Sequence, residues 1–317
     1  MAVAQQLKTV AVIGNGLMGH GISQIFAAGG RDVYMIGRNP DRLAEAVGKI
    51  RASLAQFVEE ALLSKADAEA ALARIATSTD LADAARAELV VEAVSENIPL
   101  KHEIFEKLDR ACPPEIVLAS SSGQPPSVLV ERVRHRHRVV AAHFWYPAQL
   151  IPLVEVCPGP ETDPDVVTWT LSALKSVGCE PVVMDKEVPG LIGNRIQFAM
   201  LREAWALWAS GAASAEAIDT VVRNTLGRRL GISGPIESAD LGGLDTLHAF
   251  AESLLPHIDA SPEPAPKVTE LVRQGNRGAA SGRGVYDWSA RDPEVLRGAR
   301  FRELFRWLRV DRDASGQ

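Results

Sequence analysis

In the N-terminal part of the chain, short apolar runs alternate with longer segments that carry apolar residues at helical spacing. A strand that is buried on both faces reads as a continuous apolar run, so the short runs predict strands of an internal sheet. The predicted strands are Val10–Ile13, Asp32–Ile36, Leu89–Ala93, Ile116–Ser120, Val139–Phe144, Pro152–Val156 and Pro181–Met184. The predicted helices are His20–Ala28, Asp41–Leu63, Asp67–Arg74, Leu100–Arg110 and Asp163–Val177. This alternation indicates an α/β fold with a mostly parallel, doubly wound sheet.

The pattern changes near Lys186–Pro189. A long apolar helix pattern runs from Ile192 to Ala209, and the remainder alternates helical segments with Gly and Pro breaks. A chain of 317 residues also favours two domains. We therefore predict an α/β domain over residues 1–187 and an all-helical domain over residues 188–317, with a frayed tail at Asp311–Gln317.

A glycine motif joins the first predicted strand to the first predicted helix. It consists of Gly14, Asn15, Gly16, Leu17, Met18 and Gly19, with the spacing G-x-G-x-x-G. Between a strand and a helix, the first glycine permits a tight turn, the second lets the backbone approach a pyrophosphate, and the third allows close packing. The helix N-terminus adds free N–H groups and a positive dipole end. The sequence therefore predicts that these six residues bind a dinucleotide.

The residues after the second predicted strand bear on which dinucleotide binds. An NAD site usually has an acidic residue there, which holds the ribose 2′-hydroxyl. Here Gly37 occupies that position and Arg38 follows it. Glycine removes a charge that would repel a phosphate, and arginine can pair with a 2′-phosphate through two parallel hydrogen bonds. Arg38, with Arg42 four residues later, therefore favours NADP(H); the alternative is NAD(H), with Arg38 stacked on the adenine.

Composition narrows the class of protein. With 46% hydrophobic and 23% charged residues, the chain can form a full core. Its formal net charge of −6 disfavours non-specific nucleic-acid binding, and no apolar run approaches membrane-spanning length. We expect no secretory leader, because the residues before the first predicted strand lack a basic segment, an apolar segment and a cleavage site. Cys112, Cys157 and Cys179 are too widely spaced for a metal site. We expect an enzyme of the reducing cytoplasm that acts on a small molecule and uses no metal, membrane or nucleic acid.

A histidine and a glutamate on neighbouring predicted strands are candidates for acid–base chemistry. His143 lies at the end of a strand, where open α/β sheets bind ligands, and Glu155 lies on the next strand, within reach of an antiparallel pairing. A carboxylate that orients a histidine fixes its tautomer and stabilises the imidazolium, so the histidine can act as a general acid and base. The alternatives are a core histidine bonded to the backbone and a solvated glutamate.

Eight short motifs along the chain carry a family resemblance. They are Gly14–Gly19, Val91–Val94, Ala119–Ser122, His143–Trp145, Pro152–Val156, Pro189–Arg195, Gly234–Glu237 and Gly282–Trp288. In this order they resemble the L-3-hydroxyacyl-CoA dehydrogenase superfamily, and within it the short single-unit members that include 3-hydroxybutyryl-CoA dehydrogenase and L-gulonate 3-dehydrogenase (lambda-crystallin). The resemblance implies a Rossmann domain, a helical domain that builds a homodimer, and a substrate bound between the two.

The resemblance also implies roles for individual residues. His143 and Glu155 match the family's acid–base pair, and Asn194 matches a residue that contacts the substrate and the histidine. An amide can donate to a carbonyl and accept from an N–H. The alternative for Asn194 is a helix N-cap. Glu92, at the end of a predicted strand, is implied to be a structural or cofactor-side group and is counted among the cofactor-binding residues.

Two positions in the reacting pocket depart from the family pattern. Where the family has a serine that contacts the substrate hydroxyl or the nicotinamide, this chain has Gly123, with Ser122 and Gln124 beside it as replacements. Where the family has an asparagine after the histidine motif, this chain has Tyr146, whose phenol can donate a hydrogen bond or fill space. Both departures predict an altered substrate.

Three functions are compatible with these observations. The first is an NADP(H)-dependent dehydrogenase that moves a hydride between the nicotinamide and the secondary alcohol or ketone of a 3-hydroxy acid or 3-hydroxyacyl substrate. The second is reduction of a C=N bond on the same fold, because a lost serine and a gained Tyr146 suit an imine. The third is a nucleotide-binding or structural protein with weakened catalysis, against which the complete set of His143, Glu155 and Asn194 argues.

Overall fold

The computed structural model describes residues 6–315, which form two compact units. The first unit contains the chain up to Asn194 together with the segment from Phe301 onward, and the second contains Arg195–Arg300. The first unit holds the sheet with its helices, and the second is helical. The predicted Rossmann fold followed by a helical domain is therefore confirmed.

One eight-stranded sheet forms the centre of the first unit. Its strands are β1 (Thr9–Ile13), β2 (Asp32–Ile36), β3 (Ile75–Ser78), β4 (Leu89–Glu92), β5 (Val117–Ser120), β6 (Val139–Phe144), β7 (Leu153–Pro158) and β8 (Glu180–Val183). They lie in the order β3-β2-β1-β4-β5-β6-β7-β8. Every pairing is parallel except that of β6 with β7. The order reverses between β1 and β4, the point at which open α/β sheets bind nucleotides.

Both faces of this sheet are buried. Val10 and Val12 of β1 belong to the core on one face, and Ala11 and Ile13 belong to the core on the other. Side chains of a strand point alternately to the two faces, so a strand covered on both sides needs apolar residues at every position. This is why the central strands can be found from apolar runs alone.

Thirteen α-helices lie within residues 6–315, and none of them is both long and apolar enough to cross a membrane. They are α1 (Gly19–Ala28), α2 (Pro40–Glu59), α3 (Lys65–Ala73), α4 (Ile98–Ala111), α5 (Pro126–Leu129), α6 (Pro164–Lys175), α7 (Leu191–Ser210), α8 (Ala215–Asn224), α9 (Leu226–Arg229), α10 (Pro235–Gly242), α11 (Leu244–Leu254), α12 (Pro266–Arg273) and α13 (Pro293–Ser315). Asn39 and Asn97 set the starts of α2 and α4, because each side chain accepts the N–H of the residue three positions further on.

The sequence pattern does not predict strand β3. This strand is the edge of the sheet beside β2, and all four of its residues are exposed or half-buried. An edge strand that buries little apolar surface leaves no apolar run in the sequence. It also begins directly after Arg74, where the predicted helix ends.

The C-terminal segment differs from the predicted frayed tail. Helix α13 continues to Ser315, and residues 316 and 317 lie outside the described residues. The last part of this helix packs on the first unit, where the rings of Phe305 and Phe57 meet edge to face at 5.2 Å. Its partners lie far away in sequence, so no local pattern reveals the contact.

The compact units differ from the predicted domains in this same segment. The predicted domains place residues 301–317 in the second domain, whereas the structure groups them with the first unit. An ion pair between Arg309 and Glu60 joins α13 to the end of α2, in addition to the aromatic contact. The division near residue 187 stays a prediction.

Candidate active site

The predicted site residues gather at one edge of the sheet. Strands β1, β4, β5 and β6 are parallel, so their carboxyl ends share that edge. The glycine turn follows β1, Glu92 ends β4, Gly123 follows β5, and His143 lies near the end of β6. Ligands of open α/β sheets bind outside this edge.

The glycine turn leaves room for a pyrophosphate at one position and no room for side chains at two others. Gly14 has a φ of +108°, and a Cβ on it would lie 2.7 Å from the carbonyl oxygen of Ala93. A Cβ on Gly19 would lie 1.9 Å from the carbonyl oxygen of Gly14. A Cβ on Gly16 would meet no atom within 4 Å, so the backbone there faces open space. This is the arrangement that close approach of a phosphate requires.

The start of helix α1 is suited to an anion. No side chain caps it, and Met18 stands at its N-cap position. An uncapped N-terminus keeps its first N–H groups and its positive dipole end for a ligand. Asn15 and Leu17 lie in the same turn, and the side chain of Leu17 is exposed. The residues present therefore fit a dinucleotide, whose pyrophosphate these N–H groups would hold.

The end of β2 packs against this turn. A Cβ on Gly37 would lie 2.7 Å from Asn15 Oδ1, so a larger residue would displace that side chain. Arg38 is exposed, and within residues 6–315 its side chain has no hydrogen bond or ion pair. Arg42 is also exposed, and its Nη1 lies 3.3 Å from Glu45 Oε2. Arg38 is therefore available to a ligand, whereas Arg42 is shared with Glu45.

His143 and Glu155 form a hydrogen-bonded pair across β6 and β7, so the predicted antiparallel pairing is confirmed. They lie opposite each other in register, with His143 Nδ1 2.9 Å from Glu155 Oε2. Their side chains are 13% and 3% exposed. Because an ionised carboxylate only accepts, Nδ1 carries the proton, and Nε2 has a free lone pair when the ring is neutral. This is the arrangement of a general base held by a carboxylate.

Four donors surround the Glu155 carboxylate. Oε2 accepts from His143 Nδ1 and from Trp145 Nε1, the latter at 3.1 Å. Oε1 accepts the backbone N–H groups of Ile192 at 2.8 Å and of Gly193 at 2.9 Å. Burial alone raises the pKa of Glu155, but the hydrogen bonds from His143, Gly193 and Ile192 outweigh it and hold that pKa below its usual value. The carboxylate therefore stays ionised beside the imidazole.

Gly123 and Asn194 border the open side of His143. The point that a Cβ on Gly123 would occupy lies 2.8 Å from Asn194 Nδ2 and 3.7 Å from His143 Nε2. The amide and the imidazole therefore meet at the same small space. The Gly123 carbonyl also accepts the N–H of Gly190 at 3.1 Å, which joins the loop after β5 to the start of α7. Helix α7 begins at Leu191, so Asn194 lies inside it and the N-cap alternative for Asn194 is wrong.

Glu92 is fully buried and bound on all sides by protein groups. Lys101 Nζ lies 2.9 Å from its Oε1, and the Ser120 hydroxyl donates to its Oε2 at 2.6 Å. The N–H of Val94 also donates to Oε1, at 2.7 Å. These contacts hold the ends of β4 and β5 in place from inside the sheet edge. A direct contact of Glu92 with the cofactor stays a prediction.

The remaining predicted pocket residues differ in how free they are. Ser122 is buried, and its hydroxyl donates to Glu96 Oε2 at 2.8 Å and accepts the N–H of Gln124 at 3.1 Å. Gln124 is half-buried, and Tyr146 is 47% exposed. Of the two neighbours of Gly123, Ser122 therefore already has its hydroxyl engaged. Their contacts with a substrate stay predictions.

Sequence reasoning missed several groups that shape this site. Trp145 and the backbone N–H groups of Ile192 and Gly193 all bind Glu155, and Glu96 holds the Ser122 loop. A signal existed for Trp145, since residues two apart in an extended chain point to the same side and Trp145 stands two after His143. Backbone donors leave no trace in side-chain patterns.

Comparison with known proteins identifies the family. Residues 9–188 match the 3-hydroxyacyl-CoA dehydrogenase NAD binding domain, and residues 190–288 match the 3-hydroxyacyl-CoA dehydrogenase C-terminal domain. A probable 3-hydroxybutyryl-CoA dehydrogenase of Bacillus subtilis is 33% identical over 285 residues, which cover 89% of this chain and 98% of that protein. Lambda-crystallin of Oryctolagus cuniculus is 34% identical over 262 residues, 82% of this chain and 80% of that protein.

A solved structure extends the similarity to nearly the whole chain. The crystal structure of 5-formyl-3-hydroxy-2-methylpyridine 4-carboxylic acid 5-dehydrogenase, described as an NAD⁺-dependent dismutase, superposes with a TM-score of 0.88 at 28% identity. The match covers 98% of this chain and 100% of the chain in that crystal structure. The predicted family is confirmed by these matches, which agree with the glycine turn and the paired His143 and Glu155. The chain belongs to the 3-hydroxyacyl-CoA dehydrogenase family of NAD-binding oxidoreductases.

Proposed function

We propose that this protein is an NADP(H)-dependent dehydrogenase that interconverts the secondary alcohol and the ketone of a 3-hydroxy acid or 3-hydroxyacyl substrate. The observation that carries the proposal is the His143–Glu155 pair, 2.9 Å apart, at the sheet edge that also bears the glycine turn. One imidazole nitrogen is fixed by the carboxylate, and the other faces the space beside Gly123 and Asn194. Proton transfer to and from a hydroxyl needs this combination.

His143 is the group that moves the proton. In oxidation, its Nε2 accepts the proton of the substrate hydroxyl, and the ring becomes an imidazolium that the Glu155 carboxylate stabilises. A nicotinamide dinucleotide whose pyrophosphate is held at the glycine turn would supply the hydride acceptor. In reduction, the same imidazolium returns the proton to the oxygen as the carbonyl becomes an alcohol. A positioned acid–base group typically contributes ~10²–10⁴-fold in rate.

Asn194 is placed to take the hydrogen-bonding role that the family assigns to a serine hydroxyl. Its Nδ2 lies 2.8 Å from the point where a Cβ on Gly123 would stand, so the amide is close to where that serine would be. An amide N–H can donate to the reacting oxygen and stabilise the negative charge that develops there. The missing hydroxyl at Gly123 is therefore compatible with an active enzyme.

A second candidate substrate comes from the similarity over the whole chain. The pyridine-carboxylate dehydrogenase covers 98% of this chain, which leaves about 6 of the 317 residues outside the match. The match therefore extends into α13, beyond the family domain match that ends at residue 288. A hydrated aldehyde also presents a CH–OH group to a general base. A formyl pyridine carboxylate is thus the second candidate, with the same role for His143.

The preference for NADP(H) rests on the end of β2. Gly37 brings no charge there, and its packing against Asn15 leaves no room for an acidic side chain without a shift. Among the described residues the Arg38 guanidinium has no hydrogen bond or ion pair, so it can bind a 2′-phosphate through paired hydrogen bonds.

We also propose that the helical unit pairs with a second copy of the chain. Many large apolar residues of this unit are strongly exposed, and five of them are Ile232, Ile236, Leu241, Leu244 and Phe250. Four of them lie on the consecutive helices α10 and α11. Exposed apolar groups of this size are typical of protein interfaces.

A cytoplasmic location is proposed from the cysteines. Cys112, Cys157 and Cys179 are all free and buried. Burial raises the pKa of each thiol, to about 11, 11 and 12 respectively. Buried thiols that remain unpaired are typical of proteins from a reducing compartment.

The reaction class can be tested with a substrate panel. The purified protein should oxidise NADPH with 3-keto acids or 3-ketoacyl thioesters, followed by cofactor fluorescence. His143→Ala should lower kcat by ~10²–10⁴-fold, because the proton acceptor is lost, and should leave the cofactor Kd unchanged. His257→Ala, at an exposed position of the second unit, is the control. Turnover of the formyl pyridine carboxylate alone would select the second candidate, and turnover of cyclic imines alone would reject both.

The cofactor preference can be tested by the ratio of kcat/KM for NADPH and NADH. We expect NADPH to be preferred and Arg38→Ala to raise the KM for NADPH about tenfold or more, because a charge-assisted hydrogen bond is lost. The KM for NADH should change little. Arg51→Ala, an exposed arginine further along α2, is the matched control. An equal effect of Arg38→Ala on both cofactors contradicts a phosphate contact.

The shared space beside His143 can be tested by adding a methyl group. In Gly123→Ala the new Cβ would lie 2.8 Å from Asn194 Nδ2, so the amide must move. We expect kcat to fall by up to ~10²-fold, since a small misplacement near reacting atoms is costly. Gly48→Ala, on α2 with no atom within 4 Å of its Cβ, should keep full activity. Unchanged kcat in Gly123→Ala would show that the Asn194 position is not needed.

The dimer can be tested by mass in solution. Light scattering after size exclusion should give twice the chain mass of 34.1 kDa. Leu241→Asp should shift the protein toward the monomer, because a charge would be buried in an apolar interface. Val128→Asp, at an exposed valine of the first unit, should stay dimeric. A monomeric parent protein rules out the proposal.

A further inference from the structure

Trp145 contacts both members of the acid–base pair. Its indole N–H donates to Glu155 Oε2 at 3.1 Å, and the same oxygen lies 2.9 Å from His143 Nδ1. The indole and imidazole rings meet edge to face, with centroids 5.4 Å apart and planes at 63°. Two donors therefore share one carboxylate oxygen, and the indole supports the imidazole from the side.

The far edge of the indole is closed by helix α7. A Cβ on Gly193 would lie 2.2 Å from Trp145 Cζ2, so only glycine allows this approach. The N–H of Gly193 in turn donates to Glu155 Oε1. Leu191, two residues earlier, has a φ of +53°, a conformation that is costly for a residue with a Cβ. Such strain persists where several contacts fix the backbone together, as Glu155 and Trp145 do here.

We propose that Trp145 is a positioning residue that sets the orientation and the proton affinity of the His143–Glu155 pair, a role that rests on the acid–base function proposed above. A carboxylate oxygen that accepts two hydrogen bonds offers less charge to each donor. The imidazolium is therefore stabilised less than an unshared carboxylate would stabilise it. The indole also keeps Oε2 in place when the imidazole gains or loses its proton.

Other titratable groups lie further from the His143–Glu155 pair than Trp145 does. Cys157 lies two residues after Glu155 on β7, and burial, with smaller contributions from Glu187 and Glu155, raises the pKa of its thiol to about 11. Glu96, between β4 and α4, faces the loop that carries Gly123 through its bond with Ser122. Within the described residues, none of these side chains is hydrogen-bonded to the carboxylate or the imidazole. Trp145, in contrast, touches both the carboxylate and the imidazole.

The test is the pH dependence of Trp145→Phe, which removes the indole N–H and keeps an aromatic ring. With Oε2 unshared, the imidazolium is stabilised more, so the pH at which the oxidation rate rises should move up by about 0.5–1 unit. The pH at which the reduction rate falls should move up equally, kcat should fall several-fold, and the cofactor KM should stay the same. An NMR titration of the His143 imidazole in the free enzyme gives the same readout without a substrate.

Trp169→Phe is the matched control, since Trp169 packs against the core from α6 and should leave the pH profile in place. An unshifted pH profile in Trp145→Phe overturns the proposal. This holds even if the variant is less thermally stable, because a loss of stability alone shows only a packing role for Trp145. If Trp145→Phe does not fold, Gly193→Ala displaces the indole instead and should give the same upward shift.

The outcome for His143→Ala separates this proposal from the proposed function. If that variant loses turnover while the pH profile of Trp145→Phe is unchanged, only the role of Trp145 fails. If it keeps full turnover, the acid–base function itself fails, and the NMR titration still decides whether Trp145 controls the imidazole.

Discussion

The buried Glu155 carboxylate is the interaction on which the rest of the site depends. A buried carboxylate is costly unless hydrogen bonds replace its water, and here four donors do so. These donors come from β6, from the residue after it and from the first turn of α7. The register of β6 with β7, the entry of α7 and the orientation of His143 are therefore coupled. A shift of β6, β7 or the start of α7 would remove a hydrogen-bond donor from the Glu155 carboxylate. In the low dielectric of the site, this loss raises the free energy of the folded protein strongly.

Glycines serve this site in different physical ways. Gly16 matters for the open space beside it, which a phosphate can enter, whereas Gly193 matters because an indole already fills the space beside it. Gly123 combines both features. The space beside it is occupied, but the nearest atom belongs to the amide of Asn194, which is the end of a flexible side chain. In the proposed function, Gly16 contributes to binding the cofactor and Gly193 to fixing the proton carrier. Gly123 there affects which substrate the pocket accepts.

The sequence predicts those parts of the fold that bury apolar surface or carry a motif. The central strands appear as apolar runs because both sheet faces are covered, and the His143–Glu155 pairing follows from two adjacent strands. The edge strand β3 is not predicted because it buries little apolar surface. The packing of α13 against α2 is not predicted because the residues in contact are far apart in sequence. The backbone N–H donors to Glu155 cannot be predicted either, because every residue except proline has a backbone N–H group. Which of these groups point at the carboxylate is decided only by the position of α7.

In the proposed function, acid–base chemistry and substrate choice occupy opposite sides of the same imidazole. On the Nδ1 side, both oxygens of Glu155 accept hydrogen bonds. A substitution of Glu155 or of its donors therefore disturbs the pairing of β6 with β7 and the start of α7 together. On the Nε2 side, Gly123 and Asn194 border the imidazole without a hydrogen bond to the Glu155 carboxylate. Substitutions on this second side can alter the pocket without removing a donor from the buried charge. Under the proposed function, the departure from the family pattern at Gly123 therefore changes the pocket on the open side of the imidazole and leaves the donors of the buried carboxylate in place.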